Sequence, residues 1–168
     1  MKIKISGLSE GTHHFRFSEP VSFVGLEAPF KDNVDVEVDI KKSHNQIVLD
    51  STVFVKAEFE CDRCTAPFKQ RLRSDYKMVY LQGIKPVEIK SDNVVYLSPE
   101  ADIIDISNDV RDFSMLAVPM KKLCSEDCKG LCYKCGKNLN EGDCTCDKND
   151  NDARWLPLMD LKNKLNTN

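Results

Sequence analysis

Along much of the chain, apolar and polar residues alternate one by one. Residues 34–40 read VDVEVDI, residues 47–60 read IVLDSTVFVKAEFE and residues 68–80 read FKQRLRSDYKMVY. A period of two residues sends successive side chains to opposite faces, which is typical of β-strands with one buried and one solvent-facing side. Since the three stretches follow one another with short polar connections, they predict an antiparallel meander.

Shorter elements flank this meander. Further strands are predicted at residues 2–6, 13–17 and 94–97, with a connector at 83–93. Between residues 103 and 119 the apolar positions recur at helical spacing, which predicts a helix that has Ser107 as its N-cap and ends before Pro119. Residues 155–165, WLPLMDLKNKL, predict a final short amphipathic helix.

The charge of the chain is nearly balanced. It has 24 basic and 27 acidic residues, a net charge of −3 and a sequence pI of about 5.7. A protein that held bare RNA by phosphate neutralisation alone would be more basic over at least one face. Residues 121–137 nevertheless carry a local +3 and residues 138–152 a local −4, so we expect a surface of mixed sign.

The N-terminal sequence and the overall hydropathy favour a cytoplasmic protein without a membrane partner. The first residues, MKIKISGLSEGTHHFRF, lack the apolar run of a secretory signal, and no later stretch approaches the ~20 apolar residues of a membrane span. In a reducing cytoplasm, closely spaced cysteines are better explained as metal ligands or redox centres than as disulfides.

Eight cysteines give the chain its most specific chemistry. They form two C-x2-C pairs, one C-x3-C pair and one C-x-C pair, namely Cys61 and Cys64, Cys132 and Cys135, Cys124 and Cys128, and Cys144 and Cys146. Zinc needs about four thiolate or imidazole ligands in a tetrahedral array, and a C-x2-C turn supplies two of them. The pattern therefore predicts structural zinc, with two ions for eight ligands.

Two groupings of these ligands are possible. In the first, the cysteines at 132, 135, 144 and 146 form one site, while those at 61, 64, 124 and 128 form another across the fold. In the second, residues 124, 128, 132 and 135 close one local site and the other four are accessory thiols. The first grouping is favoured because it uses all eight cysteines and ties the C-terminal segment to the meander.

Other uses of the thiols fit the sequence less well. A thioredoxin-like pair belongs at the start of a helix, whereas Cys61 and Cys64 lie between two predicted strands. Iron–sulfur ligation remains an alternative, although the spacing matches none of the common ferredoxin runs; unmetallated thiols are another. The P-loop, GxGxxG, HExxH and GxSxG patterns are all missing from the sequence, so we expect no enzymatic activity and no small-molecule substrate.

Together these patterns predict an α+β fold that is mostly β. We expect an antiparallel meander sheet or a partly open barrel, one or two short helices, and a small C-terminal zinc-binding module. A chain of 168 residues that is 41% hydrophobic can build one ordinary core and a satellite. The predicted division is a β-rich domain at 1–118 and a cysteine-rich module at 119–168 that packs on it with a short terminal helix.

Four stretches together resemble the YceD-like family, described as large ribosomal RNA subunit accumulation proteins. They are FECDRC at 59–64, LAVPMKKLC at 116–124, CKGLCYKCGKNLN at 128–140 and DARWLPLMDL at 152–161. One departure is Ala153, where the family pattern has proline. The resemblance implies a bacterial cytoplasmic factor that supports accumulation of the large ribosomal RNA, and hence assembly of the large subunit, without an assigned reaction.

The leading hypothesis is therefore a non-enzymatic, zinc-stabilised factor in large-subunit assembly, with ribosomal RNA, ribosomal protein or both as partners. We expect phosphate contacts on the strand face that carries Lys69, Arg71, Arg73 and Lys77, or along 121–137. The acidic face of Asp35, Glu37 and Asp39 would instead meet a basic protein. The alternatives are a thiol or redox enzyme that uses Cys61 and Cys64, and a zinc-dependent protein-interaction module unrelated to ribosomes.

Overall fold

The computed structural model describes residues 1–83, 92–146 and 157–158. In chain order its elements are β1 (Lys2–Lys4), β2 (Gly11–Pro20), a 3-10 turn (Val21–Val24), β3 (Phe30–Ser43), β4 (Gln46–Glu60), β5 (Pro67–Gln82), β6 (Val94–Leu97), β7 (Ile103–Asp105) and α1 (Ser107–Leu116). The predicted terminal helix at 155–165 lies outside the described residues except for 157–158. None of the helices described is long and apolar enough to cross a membrane.

A five-stranded sheet in the order β2-β3-β4-β5-β6 forms the body of the molecule. Its first four strands are antiparallel neighbours in sequence order, which confirms the predicted meander. The short strand β6 runs parallel to β5, and β1 pairs with β7 in a separate two-stranded sheet. The five-stranded sheet is therefore mixed and open, and the mostly β fold class is confirmed.

The alternating pattern matches the two faces of this sheet. The apolar positions of β3 and β4 are buried, with Val34, Val38 and Leu49 at 0% exposure. The register explains why the faces agree, because Val36 lies opposite Val53 and Ile40 opposite Leu49. Every second side chain of a strand points to the same face, so the apolar side chains of paired strands meet in one layer.

The buried face of the sheet is covered by α1 and by the small β1–β7 sheet. Ile3, Ile104 and Ile106 are at most 2% exposed, and Val110 of α1 is fully buried in the same cluster. The ring of Phe113 stacks on Tyr76 of β5 with centroids 4.3 Å apart. The main apolar core therefore lies on one side of the sheet, and the other side faces solvent.

The start of α1 differs from the prediction. Ile106 is the N-cap and Ser107 is the first helical residue, so the prediction of Ser107 as N-cap is wrong by one position. The capping acceptor is Asp105, whose carboxylate accepts a hydrogen bond from the Ser107 N–H at 3.0 Å. A carboxylate at this end of the helix also interacts favourably with the helix dipole. The Asp105 carboxylate thus takes the capping role that was predicted for the Ser107 hydroxyl.

Candidate metal centres

The tip of the β4–β5 hairpin carries the first pair of cysteines. The pairing of β4 with β5 ends at Glu60 and Pro67, and the chain turns between them. The Cys61 N–H donates to the Ala66 carbonyl at 3.0 Å, and the Thr65 N–H donates to the Cys61 carbonyl at 2.9 Å. Cys61 and Cys64 are 2% and 5% exposed, so the turn holds both sulfurs inward.

The two residues between these cysteines hold the distant segment 122–128. Asp62 and Lys122 make a reciprocal pair, with Asp62 N–H to Lys122 O at 2.8 Å and Lys122 N–H to Asp62 Oδ2 at 2.7 Å. The Arg63 guanidinium donates to the carbonyls of Glu126 at 3.2 Å and Cys128 at 2.8 Å. The sequence interpretation treated Asp62 and Arg63 as spacers, so it missed their positioning role.

These contacts bring four thiols together at the hairpin tip. The sulfurs of Cys61, Cys64, Cys124 and Cys128 all lie within 4.8 Å of one another. The Cys61–Cys128 distance is 3.7 Å and the Cys64–Cys124 distance is 3.6 Å. Tetrahedral zinc with Zn–S bonds of about 2.3 Å separates its sulfurs by about 3.8 Å, so the geometry fits such an ion.

A second group of four thiols forms in the C-terminal segment. Its backbone turns back on itself, because the Cys132 N–H donates to Lys137 O and the Gly136 N–H donates to Cys132 O, both at 2.8 Å. Gly136 has φ of +71°, a conformation that favours glycine. The sulfurs of Cys132, Cys135, Cys144 and Cys146 lie within 4.8 Å of one another, and those of Cys132 and Cys144 are 3.4 Å apart.

Each group of four cysteines could therefore hold a metal ion. The two sets are those of the first grouping. In the second grouping, residues 124, 128, 132 and 135 would share one site, whereas the structure divides them between two clusters. All four donors of each set are thiols, which suits zinc and other thiophilic ions.

The two groups touch through Gly130 and Asn140. The Leu131 N–H donates to Arg63 O at 2.9 Å. A Cβ on Gly130 would lie 3.0 Å from that same carbonyl oxygen. The Asn140 amide donates to the Cys128 sulfur at 3.4 Å and accepts from the Lys129 N–H at 2.8 Å. Asn140 thus lies in the loop of the second group and hydrogen-bonds a sulfur of the first, a contact that spacing alone did not indicate.

Backbone amides lower the pKa of Cys61 in the first group and of Cys132 in the second. Burial raises the pKa of Cys61, but N–H groups of Cys124, Arg63 and Cys64 outweigh it and lower this pKa to about 6. The N–H groups of Cys135 and Lys134, with the Cys144 thiol, likewise lower the pKa of Cys132 to about 6. Thiolate is the form that binds metal, so each site contains a ready first ligand.

Cys64 in the first group and Cys146 in the second hold their protons more strongly. The Ala66 N–H lowers the pKa of Cys64, but burial and the neighbouring thiols together raise it to about 12. The neighbouring Cys135 thiol and burial raise the pKa of Cys146 to about 12. Four thiolates crowded together repel one another, and a bound cation would compensate that repulsion.

The solvent-facing side of the sheet is largely neutralised by its own ion pairs. On β5, Lys69 pairs with Glu58 at 3.2 Å, Arg73 with Asp75 at 2.9 Å and Lys77 with Asp50 at 2.9 Å. Arg71 instead lies over the Phe54 ring, 4.4 Å from its centroid. The predicted basic face thus offers less free charge than its sequence indicates.

The predicted acidic face is also partly paired. His14 of β2 contacts Asp39 at 2.7 Å, and Arg16 contacts Glu37 at 3.3 Å. The Ser18 hydroxyl donates to Asp35 at 2.7 Å. Because β2 lies beside β3 in the sheet, each of these three acids has a polar partner across the strand pair.

Comparison with known proteins connects this arrangement to a described family. A profile described as large ribosomal RNA subunit accumulation protein YceD matches residues 49–162, a range that contains all eight cysteines. The chain is 26% identical over 160 residues to the Arabidopsis thaliana protein named large ribosomal RNA subunit accumulation protein YCED homolog 1, chloroplastic. A Zea mays protein of the same name is 28% identical over 141 residues.

These similarities cover different shares of each protein. The alignment with the Arabidopsis protein includes 79% of this chain and 49% of that protein. The alignment with the maize protein includes 66% of this chain and 47% of that protein. The chain thus spans about half the length of the plant relatives. An uncharacterized protein of Mycobacterium tuberculosis is 24% identical over 143 residues, which cover 82% of this chain and 68% of that protein. No solved structure matches the chain.

Proposed function

The chain belongs to the family of large ribosomal RNA subunit accumulation proteins, and from this membership we propose that it supports accumulation of the large ribosomal RNA as a non-enzymatic factor in large-subunit assembly. The observation that carries this proposal is the family match over residues 49–162. That range includes both cysteine groups and the hairpin on which the first is built. The proposed location is the cytoplasm.

Zinc is the proposed metal, with two structural ions per chain. Bound zinc would act as a cross-link, and four thiolates would leave it no open position for water. Cys61 and Cys64 would fix the ion to the sheet, while Cys124 and Cys128 would fix the following segment to the ion. We propose accordingly that residues 119–168 form a module docked on a β-rich domain at 1–118.

A hollow of about 540 Å³ lies on the solvent-facing side of the sheet. Ser18, Asp35, Phe54 and Arg71 line it with four further residues, and the lining contains no histidine or cysteine. The proposed partners are ribosomal RNA, a ribosomal protein of the large subunit, or both.

A deletion strain tests the proposed function. Loss of the gene should lower the ratio of large to small ribosomal subunits in sucrose-gradient profiles, and the wild-type chain should restore it. A variant with Cys61→Ser and Cys64→Ser should fail to restore the ratio, because the hairpin would lose its hold on the distant segment. Thr145→Ala, an exposed change between two ligands, is the matched control and should restore it. A normal ratio in the deletion strain would refute the proposed function.

Elemental analysis of the purified protein tests the metal proposal. We expect close to two zinc ions per chain, and close to one after Cys132→Ser. The alternative of a thiol enzyme requires a reactive thiol in the metal-loaded protein. Titration with a thiol reagent should find none while both sites are filled.

A further inference from the structure

The cations around the cysteine groups differ from those on the sheet. Lys69, Arg73 and Lys77 of β5 each have a carboxylate partner. Near the cysteines, within the described ranges 1–83 and 92–146, five cations make no ion pair with a carboxylate. They are Arg63, Lys121, Lys122, Lys129 and Lys137. Five cations without a carboxylate partner among the described residues therefore lie on the two segments that carry the cysteines.

The polar contacts of these cations leave their charge in place. Lys137 donates to the Asp143 carbonyl at 2.7 Å, and Arg63 donates to the backbone carbonyls of Glu126 and Cys128. Lys122 lies 5.6 Å from the centroid of the Phe59 ring. Carbonyl oxygens and aromatic faces orient a cation without neutralising it, so these groups remain able to attract an anion.

Tyr133 projects from the same segment. It lies between Cys132 and Cys135 and is 75% exposed, although a tyrosine commonly buries much of its ring. Leu131, two residues earlier, is 37% exposed. A large aromatic ring in solvent has an energetic cost that a binding partner would remove.

The backbone holds Tyr133 and two of the cations in a fixed relation. Leu131 and Asn138 form an antiparallel bridge, the Cys132 N–H donates to Lys137 O, and the Leu139 N–H donates to Gly130 O. Residues 130–132 and 137–139 are thus the two limbs of a small hairpin, with Tyr133 in its turn. Lys129 precedes the first limb and Lys137 begins the second.

We propose that this hairpin is a contact site for single-stranded RNA, in which a base stacks on Tyr133 and phosphates lie against Lys129 and Lys137. The inference rests on the proposed function and adds a surface to it. Proteins bind unpaired bases with an exposed aromatic ring near cations, since the ring stacks on the base and the cations attract the phosphates. Double-stranded RNA would offer no free base face to the ring.

Binding of a labelled RNA to the full-length, zinc-loaded protein tests the site. The probe is a single strand of about 12 nucleotides, within the ~4–16 that such sites span, and the readout is fluorescence anisotropy. Tyr133→Ala should weaken binding roughly 5- to 150-fold, the loss expected for one stacked base. Tyr133→Phe keeps the ring and should stay within about twofold of wild type.

The salt dependence of binding tests the cations. The plot of log K against log salt has a negative slope. Lys129→Ala and Lys137→Ala should each make this slope shallower by about 0.7, because each phosphate contact to a single strand releases that fraction of a counterion. Lys56→Ala is the matched control. Its charge is already paired with Asp32 at 3.1 Å, so the slope should stay as in wild type.

Zinc content, measured for every variant, establishes that the segment is folded. Wild-type protein that fails to bind the strand at low salt, or Tyr133→Ala protein that binds it equally well, would overturn the inference. If wild type binds no RNA but Tyr133→Ala loses co-sedimentation with large-subunit particles, the hairpin contacts a protein and the RNA site is wrong. The proposed function is decided separately, by the subunit ratio in the deletion strain.

Discussion

Replacing Gly130 by alanine should loosen the junction between the two cysteine groups. Gly130 has φ of +77°, and a Cβ there would lie 3.0 Å from Arg63 O and 3.3 Å from Arg63 Cβ. The left-handed backbone costs an alanine about 1–2 kcal/mol. The carbonyl must also move, which weakens its 2.9 Å hydrogen bond from the Leu131 N–H at a cost of about 0.5–1.5 kcal/mol. We expect Gly130→Ala to lower the free energy of unfolding by about 1.5–3.5 kcal/mol in total.

Gly136→Ala is the matched control for this prediction. Gly136 has φ of +71°, but a Cβ there would meet no atom within 4 Å. Gly136→Ala should therefore lower the free energy of unfolding by only the ~1–2 kcal/mol that the left-handed backbone costs an alanine. Comparison of the two variants removes the conformational strain that they share and isolates the close approach of Gly130 to Arg63.

Urea unfolding at a fixed zinc concentration measures both losses, and amide hydrogen exchange locates them. In Gly130→Ala the Leu131 amide should exchange about 2- to 12-fold faster than in Gly136→Ala, which corresponds to the ~0.5–1.5 kcal/mol of the weakened hydrogen bond. Equal destabilisation in the two variants, with equal exchange at Leu131, would refute the close contact of Gly130 and Leu131 with the Arg63 carbonyl.

Three further predictions concern the cysteine groups and α1. Cys61→Ser should make residues 120–130 more sensitive to limited proteolysis in zinc-replete protein, because the lost ligand is shared across the fold; unchanged cleavage would argue against the shared site. Asn140→Ala should lower zinc affinity about 10- to 100-fold, the usual cost of losing a hydrogen bond to a ligand, as measured by competition with a chelator; unaltered affinity would show that its 3.4 Å contact with Cys128 is unimportant. Asp105→Asn should lower the free energy of unfolding at pH 7 by about 0.3–1 kcal/mol. Burial raises the pKa of Asp105, but hydrogen bonds from Ser107 outweigh it and lower this pKa. A carboxyl whose folded pKa is depressed stabilises the fold above its unfolded pKa, so the difference between the proteins should shrink below about pH 4 in urea titrations; a difference that persists there would contradict this assignment.

The sequence alone determined which face of each long strand is buried. Val36, Val38 and Leu49 lie on the predicted apolar faces and are at most 1% exposed. This part was predictable because successive side chains of a strand point to opposite faces whatever the strand pairs with. The short connections between the strands then favoured neighbouring antiparallel pairs, and the meander followed.

Elements set by distant contacts were beyond the sequence pattern. The start of α1 depends on the Asp105 carboxylate as well as on local residue preference. The parallel pairing of β6 with β5 and the pairing of β1 with β7 join segments that no periodicity connects. The ion pairs of Lys69 and Lys77 likewise depend on acids of β4, which become neighbours only through the register.

For the candidate site, spacing identified the eight candidate ligands, and only the tertiary structure divided them into two sets. Cys61 and Cys128 are 67 positions apart in sequence, yet their sulfurs lie 3.7 Å from each other. That contact exists because the β4–β5 hairpin carries its tip to the later segment, where Asp62 and Arg63 bind backbone groups of residues 122–128. Local spacing sets which cysteines can share a turn, whereas strand length and hydrogen bonds between remote segments set which turns meet.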